Sequence, residues 1–196
     1  MPKIPENLIP TNPVYEKFLK FLKSQRDVIN INQATPGAVY ELGKGKLQIL
    51  GPVRTNYDNL NDFSVVCRFE LGNSSFFFGG DAQKAAELDL INSGQNLKSK
   101  VLKLNHHGSR TSNTKQFLKA VDAKIYVATV GRNNSYHHPH DVVLKRILNS
   151  KKKRNKHNKH NNNNETNNKL YRTDLNGSIV FTVDDDFIGA RCEKGE

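Results

Sequence analysis

Five of the seven histidines of this 196-residue chain fall in two short stretches. LNHHGS places His106 and His107 directly after an apolar run, and VGRNNSYHHPHD carries His137, His138 and His140. A third stretch, SSFFFGGD, ends in Asp81 immediately after Gly79-Gly80. Neutral imidazole is the commonest metal ligand and a natural acid or base near pH 7. Together with a carboxylate, such histidines make a donor set suited to zinc or manganese. Surface histidines without a role would not be expected to gather in two equivalent loops.

Each stretch also has a plainer reading. Asp81 precedes AQKAAELDLI, a helix pattern, and a carboxylate there can cap the helix N-terminus. Ser109, Ser112 or Asn113 can cap the next helix, TKQFLKAV. Ser109 as a hydrolytic nucleophile lacks the G-x-S-x-G elbow. His157 and His160 form an H-x-x-H pair, but among Asn and Lys nothing supports a stable helix to present them, so the pair reads as a compositional accident.

The elements that must position these residues are legible as periodicity. VYEKFLKFLKS repeats Tyr15, Phe18, Leu19 and Leu22 at three and four residues, one face of an amphipathic helix. Strand patterns follow at VINI (28–31), AVYEL (38–42), KLQIL (46–50) and SVVCRFEL (64–71), with Gly72-Asn73 turning into SSFFFGG. Beyond Asp81 the order is helix, strand VLKL, helix TKQFLKAV, strand KIYVATV and helix HDVVLKRIL. Strands KLYRT and SIVFTV close the chain around Asn176-Gly177. Alternating strand and helix predicts an α/β fold, and the preceding hairpins make its sheet mixed. Asp81 and both histidine stretches fall at strand C-termini, where α/β sheets build their sites.

The net charge of +11 points to phosphate-bearing partners, but it is concentrated. Between Lys151 and Lys169 seven cations, among them Lys151, Lys152, Lys153 and Arg154, stand against the single acid Glu165, over half of the net charge. Residues 150–168 hold nothing apolar to bury and are expected to be a disordered insertion, with loose nucleic-acid binding as their possible use. Residues 1–149 and 169–196 then form the domain proper. Cys67 and Cys192 form neither a C-x-x-C pair nor a disulfide framework. No apolar run reaches the roughly 18 residues of a membrane span. The N-terminus lacks a basic-then-apolar leader pattern, which makes a cytoplasmic location the default.

The ordered motifs GGD-A-x-K-x-A-E, LKLNHHGSRTS, VGRNNSYHHPHDVVLKRI and YRTDLNGSI resemble the metallo-β-lactamase superfamily, and within it the ComEC-like hydrolase domains of competence proteins. The resemblance spans nearly the whole chain apart from the Lys/Asn tract. It implies an αββα sandwich, with two mixed sheets face to face and helices outside. It also implies a divalent metal and hydrolysis of nucleic acid during DNA uptake. Carried over by motif, Asp81 bridges metal and His138 is a late ligand. One of His106 and His107 is a ligand and the other a proton donor; the working assignment gives His106 to the metal and His107 to the proton. Metal-activated water would attack phosphorus while a histidine protonates the leaving oxygen.

Two departures stand out. The family usually shows glycine where this chain has His137, which could crowd the loop. The superfamily's early H-x-[HD]-x-D-H box has no counterpart, since no histidine precedes His106. The expectation is therefore the C-terminal part of an αββα sandwich. Its metal would be three-coordinate at best from Asp81, His106 and His138, with a separate chain as the possible source of the first half.

Overall fold

Asn12 opens the first helix, its side-chain oxygen accepting the Tyr15 N–H at 2.9 Å, and Pro13 takes the first helical position, where its missing N–H costs nothing. This is the start of a computed structural model that describes residues 1–148, 168–184 and 187–195. The helix, α1 (Pro13–Ser24), has the amphipathic pattern expected, yet none of its residues is buried, and Val14, Phe18 and Phe21 stand exposed.

Val39–Leu42 (β1) and Gly45–Gly51 (β2) form a tight hairpin around Gly43-Lys44, with Gly43 at φ +61° as such a turn demands. Val66–Leu71 (β3) and Ser74–Phe78 (β4) continue the antiparallel run through Gly72-Asn73. The mode then changes. Val101–Lys103 (β5), Ile125–Ala128 (β6) and Lys169–Arg172 (β7) add in parallel, giving a seven-stranded mixed sheet in chain order. Lys84–Asn92 (α2), Lys115–Val121 (α3) and residues 141–148 (α4) follow β4, β5 and β6 in turn.

Alternation along the strands divides the apolar residues between two faces. Leu50, Phe77, Leu102 and Tyr126 meet Ala86 and Leu90 of α2, Phe117 and Val121 of α3, and Val143 and Ile147 of α4 in the main core. Phe76, Val101 and Val127 point the other way. There a second, two-stranded sheet, Ile179–Asp184 (β8) paired with Phe187–Cys192 (β9), covers them with Ile179, Phe181, Val183 and Ile188. The mixed α/β layering expected from the sequence is thus present.

Three details differ. Residues 28–31 form no strand; the Val28 and Ile29 N–H groups both donate to Gln25 O, and Val28 and Ile31 are exposed. A helical turn, α5 (Thr173–Asn176), fills the junction after β7, pinned where Thr173 Oγ1 bonds both the N–H and the C=O of Val130 at 2.7 Å. β9, unforeseen, pairs with β8 throughout. Both cysteines are free and half-buried, and burial pushes the Cys67 thiol up. No helix among the described residues is long and apolar enough to cross a membrane.

Candidate functional site

The C-terminal ends of β4, β5 and β6 bring the three sequence stretches together. After β4 the chain passes through Gly79-Gly80. A Cβ on Gly79 would lie 2.1 Å from the Asn105 side-chain oxygen, so only glycine lets the end of β5 come alongside. Gly80 sits at φ +56° against Ser64, whose hydroxyl accepts the Asp81 N–H at 3.0 Å.

Asp81 does not cap α2. Gln83 holds the cap position without a side-chain bond, and the free N–H groups of Gln83 and Ala86 are met from 21 and 24 residues away by Asp62 Oδ1, at 2.8 and 3.3 Å. The Asp81 carboxylate faces the histidines instead, with Oδ1 3.4 Å from His107 Nε2.

His106 and His107 occupy consecutive left-handed conformations, φ +48° and +56°. For residues bearing a Cβ this is costly, and two in a row are held only by their surroundings. The His106 N–H donates to Gly80 O at 2.9 Å, and the Ser109 N–H to His106 O at 2.8 Å. His107 Nδ1 lies 2.6 Å from Thr129 O, a contact that needs the proton on Nδ1. In a neutral ring Nε2 is then an acceptor turned toward a carboxylate, an arrangement that calls for a proton or a cation between them. His106 Nδ1 is buried and makes no hydrogen bond among the described residues.

The third loop is folded by Asn134, whose Oδ1 accepts the His138 N–H at 2.8 Å while its Nδ2 donates to His138 O at 2.9 Å. The His138 ring lies 5.7 Å from that of His106 and 4.8 Å from that of His140. Burial, then the neighbouring His140, His106 and His107, hold the His138 pKa below its ordinary value, with Asp81 opposing. His137 is exposed at φ +55°, a conformation that favours glycine.

Capping of α3 falls to Thr114, whose hydroxyl accepts the Phe117 N–H, and not to Ser109, Ser112 or Asn113. Ser109 is buried beside the Thr111 hydroxyl at 3.0 Å. Sequence reasoning missed Asp62, Glu87, Asn105, Asn113 and Thr129. Glu87 closes the GGD-A-x-K-x-A-E motif and lies between Ala86 and Leu90 on the apolar side of α2. Asn105 stands in LKLNHHGSRTS and Asn113 is a candidate cap, so for these three only the role was missed. Lys151, Lys152, Lys153, Arg154, His157 and His160 lie outside the described residues.

The donor types fit a zinc or manganese centre; their arrangement does not complete one. Among the described residues no three Asp, Glu, His or Cys side chains converge where one ion could sit. Asp81, His106, His107 and His138 are brought to one mouth as pairs.

Gly-Gly-Asp, His-His-Gly-Ser and His-Pro loops thus stand at the ends of three successive strands of one mixed sheet. ComE operon protein 3 of Bacillus subtilis (strain 168) is 30% identical over 178 residues, 91% of this chain and 20% of that protein. Competence protein ComA of Neisseria gonorrhoeae is 36% identical over 129 residues, 65% of this chain and 16% of that one. The chain is thus similar over most of its length to a part of the first of these proteins, and across about two thirds of its length to a part of the second. It spans about a fifth or less of the length of these two relatives. A solved Thermotoga maritima structure of the metallo-beta-lactamase superfamily aligns over 73% of this chain and 72% of its own, at 14% identity and a TM-score of 0.40. No family model matches the chain.

Proposed function

We propose that this chain is part of a metal-dependent hydrolase of phosphodiester bonds, with DNA as the substrate class. The observation that carries the reading is the meeting of Asp81, His106, His107 and His138 at three successive strand ends. Asp81, His106 and His138 would contribute to holding zinc or manganese, the ion supplying charge stabilisation at phosphorus. His107, anchored through Nδ1 to Thr129, is set to move a proton through Nε2.

Further donors are needed, and a second surface feature supports their source. Tyr40, Leu42 and Phe78 share the sheet face that β8 and β9 cover farther along, and they are 39%, 53% and 40% exposed. This apolar face suits a further β-sheet packed beside the hairpin. The proposed partner is a polypeptide that supplies both that sheet and an H-x-[HD]-x-D-H box.

The test measures metal per chain in wild type, Asp81→Ala and His138→Ala, each without residues 151–168, then DNA hydrolysis with and without a polypeptide carrying the box. Metal bound by wild type and lost in both variants, with hydrolysis on complementation, is expected. Equal metal in all three chains, or no hydrolysis after complementation, overturns the reading. The lack of convergence of three donors favours one alternative, a non-catalytic module whose basic tract binds nucleic acid.

A further inference from the structure

Glu87 is wholly buried on α2 and forms no salt bridge among the described residues. A buried carboxylate is costly unless its oxygens are satisfied. Here Oε1 accepts the Asn105 side-chain amide at 2.9 Å and the Asn113 N–H at 2.5 Å, while Oε2 accepts the Thr114 N–H at 2.9 Å. Asn113, itself buried at φ +57°, then clasps Asn105: its Oδ1 accepts the Asn105 N–H at 3.0 Å, and its Nδ2 donates to Asn105 O at 2.8 Å. The clasp closes the loop from 105 to 113 at its base, and His106 and His107 are the first residues to project from it.

We propose that Glu87 is the positioning residue of the histidine loop, holding His106 and His107 in their left-handed conformations through Asn105 and Asn113. Helix α2 begins shortly after Asp81, so one short segment, residues 81–87, carries both the carboxylate of the site and the buried anchor of its imidazoles. A capping or packing role alone would not explain the choice of residue: all three donors belong to the two ends of the histidine loop, and none to α2.

The inference rests on the histidine loops being the working part of the site, yet its test needs no metal. A chain that binds no metal in the assay above refutes the hydrolase reading and leaves the loop measurement standing. Glu87→Gln keeps the volume but turns an amide N–H₂ toward one of the three donors. Hydrogen exchange at the His106 and Ser109 amides should quicken roughly tenfold or more relative to the β8–β9 amides, which lie in the separate two-stranded sheet. The His107 imidazole nitrogen resonances should move as the Thr129 contact loosens. Asn113→Gly tolerates the positive φ, keeps the N–H to Glu87 and deletes only the clasp; it should displace the same signals, and it serves if Glu87→Gln does not fold. Loop amides that keep pace with β8–β9, together with unmoved imidazole resonances, overturn the proposal.

Discussion

A Cβ placed on Gly108 would stand 2.5 Å from the Pro139 Cβ, and Gly108 already sits at φ +84°. The glycine of the His-His-Gly-Ser loop and the proline of the His-Pro loop are thus in contact because one of them has no side chain. The His140 N–H adds a bond to Gly108 O at 3.0 Å. Gly108→Ala should lower stability by roughly 1–3 kcal/mol and part the His106 and His138 rings. Gly131→Ala, with open space around it and no positive φ, should stay within about 0.5 kcal/mol of wild type in the same urea titration. Equal losses in the two variants would refute the contact's role.

Asp62 caps a helix whose cap residue, Gln83, stands 21 residues later. Asp62→Ala should cost about 1 kcal/mol in chemical unfolding, and Asp62→Asn, which keeps an acceptor oxygen, should recover most of it. Failure of the Asn variant to recover would point to the charge and away from the cap.

Arg172 grips Asp174 through two bonds, at 3.1 and 2.6 Å, and this hydrogen bonding holds the Asp174 carboxyl below its ordinary value. A carboxyl depressed on folding stabilises above its unfolded pKa and loses that contribution as pH falls through the lowered folded value. Asp174→Asn should therefore trail wild type by up to about 1 kcal/mol at neutral pH. The gap should close on acidification below about pH 4. A constant gap in unfolding midpoints would remove the ion pair as its cause.

Deleting residues 151–168 removes six cations and one acid. If this tract binds nucleic acid, the dependence of log affinity on log salt for single-stranded DNA should flatten by up to about 4 units. An unchanged slope in fluorescence titrations would place any binding elsewhere on the chain.

The sequence by itself determined the order of elements and marked the three stretches that meet at the strand ends. Apolar alternation placed every strand of the large sheet, because burial on one or two faces forces that pattern locally. The clustering of five histidines marked two loops, the strand-end rule aligned them with Asp81, and the resemblance to ComEC-like domains singled out His106, His107 and His138 within them. The glycine expected at position 137 also has its reason in the backbone, which is left-handed there.

Tertiary structure alone decided who does what. Asp81 was free to face His107 because Asp62, remote in sequence, took over the cap. Asn105, Asn113 and Glu87 look like ordinary polar residues until the fold closes 18- and 26-residue separations around one buried carboxylate. Residues 28–31 have a strand's composition but form no strand, and α1 has an amphipathic face that nothing described here covers. The reason is common to all of these. Local pattern records which residues must leave water, whereas caps, clasps and tautomers depend on which groups from distant segments arrive beside them.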